Sequence, residues 1–234
     1  MVAPAGEGKP LVDGLEGDPR RFLDEHAIRL VAEYFLSGHF TGRVFNNFAG
    51  GGDAPPYTNA FTVGDVVAIT MLGVRLPGRG VLELLDGRFN DLLAAIPANI
   101  DLSDPQCPEE VVGPQSAAFE LWTRLRREVH GAGSVVAHKL CARKRPRLLP
   151  VYDDVLKQAL QPSRATFRVP LWRELRDEML VKRLRDIRTA AGLDDRVPLL
   201  RVLDVAVWMR NEGISQVDAT RLGVTPLPFV ARTG

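Results

Sequence analysis

Long hydrophobic runs are missing from this chain. No window of about 18 or more apolar residues occurs among its 234, and a helix needs roughly 20 to cross a bilayer core, so no membrane-spanning helix is expected. Cysteine is scarce as well. Cys107 sits in the acidic, proline-rich run Asp104-Pro105-Gln106-Cys107-Pro108, and Cys141 in a helical pattern. Two isolated cysteines without Cys-x-x-Cys spacing give neither a zinc site nor a disulfide framework, and a reducing cytoplasm is the default compartment. His26, His39, His130 and His138 lack metal-binding spacing too. No metal or organic cofactor is implied. Residues 1–18 lack a basic start followed by an apolar run and are rich in glycine, proline and acid; they read as a loose tail rather than a signal peptide.

The residues that are present are ordinary in bulk and uneven in place. Apolar residues make up 45% and charged residues 25%, the balance of a globular chain that buries a sizeable core. The formal net charge is only +1. Yet residues 1–123 carry 8 basic and 17 acidic side chains, whereas 124–188 carry 17 basic and 7 acidic. A segment of net charge +10 is a candidate surface for a polyanion. The blander reading is arginines solvating exposed helix faces or matching the acidic half.

Periodicity predicts helices throughout. Asp18 before Pro19 marks a helix start, and Ala27, Leu30, Val31, Tyr34 and Phe35 share one helical face. Val44, Phe45 and Phe48 show no such spacing, which suggests a minor extended element near residue 45. Thr62 with Asp65 starts another helix. Leu76-Pro77-Gly78-Arg79-Gly80 reads as a structural turn. Helices are then expected over 115–129, 134–143, 153–160, 171–191 and 198–210. The last is apolar nearly all round, as a central core helix would be. The tryptophans Trp122, Trp172 and Trp208 fall on helical stripes and read as core. Strong strand patterns are absent, so the fold class expected is all-α. After the 1–18 tail comes a single helical domain over 19–234. Its acidic lobe spans about 19–114 and its basic part about 115–234, parted by the proline-rich connection 97–114.

One segment carries the pattern of a site. From Val129 a helix ends, Gly131-Ala132-Gly133 turns tightly, and a new helix begins with Ser134 and Ala137. Glycines permit positive φ and close backbone approach; the free amides at the new helix's start then offer partial positive charge to a phosphate. Basic residues crowd the second helix and its C-terminal flank: Lys139, Arg143, Lys144, Arg145 and Arg147. Pro146 and Pro150 then make a rigid corner before Asp153. Aspartate there serves either as an N-cap or as a catalytic acid aimed at whatever the hairpin grips.

In this order Gly131, Gly133, Ala137, Pro146, Pro150, Val151 and Asp153 resemble the helix-hairpin-helix DNA glycosylases, of the 8-oxoguanine glycosylase type. The likeness covers about 30 of the 234 residues, with Tyr152 as one extra residue between Val151 and Asp153. It implies a two-lobed helical domain that binds the DNA backbone through Gly131, Gly133, Ser134, Arg143, Lys144, Arg145 and Arg147. It also implies Asp153 as the residue that drives hydrolysis of an N-glycosidic bond. Members that also cut the strand use a lysine at the start of the second helix. Here Ser134 and Val135 stand there and Lys139 comes one turn later; Lys139 is the candidate nucleophile but reads first as a phosphate contact or a solvated residue, which points to hydrolysis without strand cleavage or to no chemistry. Tyr57, Phe45 and Phe48 are the candidates for the wall of a base pocket. A second resemblance is carried by Phe40-Thr41-Gly42-Arg43, Gly50-Gly51-Gly52, Val74-Arg75-Leu76-Pro77-Gly78, and Arg145-Pro146-Arg147-Leu148 with Tyr152-Asp153. It covers most of the chain, links it to an uncharacterised bacterial family, and implies no activity. Two other readings stay open: a nucleic-acid-binding module without chemistry, and a protein-interaction domain.

Overall fold

The computed structural model describes residues 14–162 and 167–216. Within them the chain is all helical, with no strand and one isolated bridge between Leu15 and Pro162. Ten α-helices occur in order: α1 His26–Leu36, α2 Val63–Thr70, α3 Gly78–Leu85, α4 Asn90–Ala95, α5 Ala117–Glu128, α6 Ser134–Lys144, α7 Asp154–Leu160, α8 Arg168–Glu174, α9 Glu178–Ala190 and α10 Leu199–Asn211.

Local chemistry explains most of the boundaries. Thr62 caps α2 by accepting from the Asp65 amide, and the Asp65 carboxylate accepts from the Thr62 amide at 2.9 Å, a reciprocal box that satisfies two orphan donors. Ser116 caps α5, and Asp153 caps α7 by accepting from the Leu156 amide at 3.2 Å. Asp18 does cap, but only a short 3₁₀ turn over Pro19–Phe22; α1 proper starts at His26. The helix expected over 171–191 is two. Asp177 takes an extended conformation and caps a fresh start by accepting from the Met179 amide at 2.8 Å. Residues near 45 are not extended: Thr41–Val44 and Phe48–Gly50 are 3₁₀ turns.

The helices sort into two packed groups that do not follow chain order. α1 lies with the C-terminal helices, against α9 and α10, and α7 also rests on α10. α2 packs on α6, α4 on α5, and α5 on α6. α10 is buried along almost its whole length, as its apolar circumference predicts. Both cysteines are buried thiols. No described helix is long and apolar enough to cross a membrane.

Trp122, His138, Tyr152 and Phe167 form a chain of ring contacts, tilted between the first two, edge-on between His138 and Tyr152, and stacked between Tyr152 and Phe167 with centroids 4.2 Å apart. Burial, reinforced by Arg168 and Arg126, pushes the His138 imidazole down to about 3. An unfolded histidine takes up its proton near pH 6.5, whereas this one stays neutral until far lower. Stability is therefore lost as pH falls from about 6.5 towards 3. At pH 4.5 the loss is about 2–3 kcal/mol relative to pH 7. His138→Gln removes that share of the slope, measurable as a smaller shift of the urea midpoint between the two pH values.

Candidate functional site at the α6–α7 corner

Of the two hairpin glycines between α5 and α6, only Gly131 is required; Gly133 has φ −63° and open space around it. Gly131 has φ +80°, and a Cβ there would lie 2.5 Å from Cδ of Pro77. Only glycine meets both conditions. The Leu76–Gly80 turn is thus the buttress on which the hairpin rests, and Glu83 of α3 accepts from the His130 amide at 2.7 Å. Gly131, Gly133 and Ser134 are exposed. The first amides of α6 have no intrahelical partner and receive no side-chain cap.

Beyond the hairpin α6 dives inward, and the basic cluster goes with it. Arg143, Lys144 and Arg145 are at most 1% exposed. Arg143 ion-pairs with Asp65 at 2.9 Å and donates to the carbonyls of Phe45, Asn46 and Phe48, each at 2.6 Å. Lys144 donates to the carbonyls of Tyr57 and Ala60 at 2.8 and 2.9 Å. Arg145 holds those of Thr58, Ile96 and Leu93. The sequence pattern assigns these three side chains to phosphate. In this conformation they cannot grip it, because their donors bind residues 45–60 and the end of α4 from inside. The same contacts explain the 3₁₀ turns: one guanidinium collects three nearby carbonyls, which an extended strand would point in alternating directions. Arg147 is partly exposed, but it is engaged with Asp101 at 3.5 Å and the Asp195 carbonyl at 2.6 Å. It lies in a separate shallow cleft with Arg185 and Arg188.

Lys139 and Asp153 do come together. They line a cavity of about 270 Å³, with Tyr34, Phe40, Leu72, Arg201, Asp204 and Trp208 among the other lining residues. Lys139 is 6% exposed. Its Nζ lies 3.8 Å from Asp153 Oδ2 and donates to the Leu72 carbonyl at 2.9 Å. Burial pulls the ammonium below the usual lysine range, against the opposing pull of Asp153. Asp153 therefore has a cap's contact and a site's contact at once: Oδ1 caps α7 while Oδ2 faces Lys139. Pro150 and Val151 set the corner that makes this possible.

The other side of the cavity comes from α10 and α1. Arg201, Asp204, Val205 and Trp208 have the i, i+3, i+4, i+7 spacing of one helical face, and all four line the cavity. Arg201 pairs with Asp204 and donates to the Tyr34 hydroxyl at 2.6 Å and the Gly42 carbonyl at 3.1 Å. A side chain on Gly42 would meet that hydroxyl at 2.0 Å. Burial drives the Asp204 carboxyl up to about 7, despite Arg201. Its Oδ2 has no hydrogen-bond partner. Tyr34 stacks on Phe40 at 5.1 Å, and Trp208 meets both edge-on. The expected wall of Tyr57, Phe45 and Phe48 is elsewhere: Tyr57 is 60% exposed, Phe45 is wholly buried, and none of the three lines the cavity.

Sequence reasoning misses Arg201 and Asp204. A signal for them exists: they are the only charged residues between Leu199 and Met209 in an otherwise apolar helix. Charge placed there is costly unless paired.

A model for a protein family matches residues 27–211, a span that holds every residue lining the cavity. The chain belongs to the DUF6308 family, a family of unknown function. No curated protein and no solved structure matches it. The chemistry available to this DUF6308 chain is that of one buried amine, one buried guanidinium, two carboxyl groups and an aromatic wall. Among its described residues no group of His, Cys, Asp and Glu is placed to hold a metal ion.

Proposed function

We propose that this protein is a DNA-base-excising enzyme that breaks an N-glycosidic bond in the cavity between α6, α7, α10 and α1. The observation that carries this reading is the Lys139–Asp153 pair, 3.8 Å apart, at a cavity walled by Tyr34, Phe40 and Trp208. A base inside a duplex is out of reach of any such pair until it is extruded. The volume of about 270 Å³, just below the roughly 300–1,000 Å³ usual for ligand pockets, suits one planar ring system against the aromatic wall. The uncapped first amides of α6 would supply the nearby backbone contact that extrusion needs.

Position gives each residue its role. Asp153, fixed as an N-cap, places a negative charge where positive charge develops on the deoxyribose as the base departs. Lys139 carries an amine partly stripped of water, the condition under which lysine becomes a nucleophile. Its attack on C1′ would form the C–N bond as the bond to the base breaks, the base leaving with the electron pair and taking up a proton. Lys139 lies one turn later than the resemblance places the nucleophile. The inward course of α6 brings it to Asp153 all the same. The test is release of free base from duplexes carrying single altered or mismatched bases, read as alkali-labile strand cleavage. Release from at least one such duplex is expected. Duplexes that are bound without any release would leave a binding module and no chemistry.

A further inference from the structure

Arg143, Lys144 and Arg145 are buried, so any contact with a DNA backbone falls to other cations, and two exposed arginines follow closely on segments that line the cavity. Two loops form part of its rim, His39–Gly42 and Met71–Gly73. They are tied by the Thr41 hydroxyl, which donates to the Met71 carbonyl at 3.0 Å. Each loop runs straight into an arginine. Arg43 comes directly after Gly42, and Arg75 comes two residues after Gly73. Both are exposed, and no hydrogen bond or ion pair engages either side chain among the described residues. Most other arginines on this protein's surface are occupied: Arg79 by Glu83, Arg88 by Asp86, Arg127 by Glu128 and Arg196 by Asp194.

Arg75 has a second constraint. The segment that begins at the rim with Met71, Leu72 and Gly73 ends at Pro77, which packs against Gly131 of the hairpin. Arg75 stands midway along it. The segment thus links the cavity lining to the hairpin, and a phosphate chain that spans the two along it comes within reach of Arg75.

We propose that Arg43 and Arg75 hold the phosphodiester backbone of DNA at the cavity mouth, Arg75 on the stretch between mouth and hairpin. This rests on the base-excision reading and assigns that site its backbone contacts. Both side chains are free and exposed, so alanine substitution leaves the fold intact, and each lost phosphate contact removes about one released counterion.

The experiment measures binding of the full chain to a short fluorescent duplex carrying a tetrahydrofuran abasic analogue, across a salt series. The wild type is compared with R43A/R75A and with R185A, whose arginine lies in the separate cleft. The double variant should bind on the order of tenfold more weakly at low salt, with a slope of log affinity against log salt shallower by about two. R185A should match the wild type. Salt-sensitive binding that R43A/R75A leaves unchanged overturns this assignment and leaves base excision standing. No binding by the wild type at low salt overturns both.

Discussion

Replacing Arg143 with alanine should cost about 3–5 kcal/mol of stability, the usual loss when one partner of a buried ion pair is removed. The reason is how many groups that single side chain satisfies. Asp65, itself 1% exposed, would keep only Lys144, at 3.5 Å, as a charged partner. The carbonyls of Phe45, Asn46 and Phe48 would lose their shared donor, and each buried acceptor left bare carries its own desolvation cost. Because Gly52 packs directly on the Arg143 backbone, the loop cannot easily shift to let water in. For a chain of this size the melting temperature should fall by roughly 10 °C, at about 2–4 °C per kcal/mol. Thermal unfolding followed by circular dichroism checks it. A variant of unchanged stability that has lost DNA binding would instead return Arg143 to the phosphate role that its place in a basic run suggests.

That run shows where sequence reading reaches and where it stops. Gly131, Pro146 and Pro150 act through their own backbone geometry and Asp153 through a cap three residues along, so the hairpin, the corner and the capped start of α7 can be read from the residues themselves. The Thr62–Asp65 box and the apolar circumference of α10 are legible for the same reason. Arg143, Lys144 and Arg145 look like a solvated face because their partners are backbone carbonyls far upstream, from Phe45 to Ile96, and carbonyls leave no mark in a sequence. The turn at Phe45 is misread as extended on the same account: a distant guanidinium shapes it. Arg201 and Asp204 are the reverse case. Their spacing is visible, but the cavity they line exists only once α10 meets α1 and α6.

Asp153→Asn should lower the rate of base release by on the order of 10²–10³, the loss typical of removing one preorganised charge or donor from a reacting centre. Asparagine is as good an N-cap as aspartate, so the start of α7 and the corner at Pro150 survive the change. DNA affinity should stay within about threefold, because Asp153 lies inside the cavity and neutral substitution there removes no cation from the backbone contacts. Single-turnover release and duplex binding, measured on the same preparations, separate the two effects. A variant that releases base at the wild-type rate would remove Asp153 from the chemistry and leave it as a helix cap. Equal losses in rate and in stability would say the same.

Base excision in this cavity requires that a deoxyribose reach the buried amine of Lys139 beside Asp153. That encounter can be tested without knowing which base is removed. The protein is incubated with a duplex holding a natural abasic site in the presence of borohydride, and any cross-link is mapped by peptide mass spectrometry. An amine that meets the sugar aldehyde condenses with loss of water, and hydride then fixes the imine as a stable bond. One adduct is expected, at Lys139, absent from Lys139→Gln. An adduct confined to an exposed lysine such as Lys157 or Lys182, or none at all on a duplex that is bound, would contradict it.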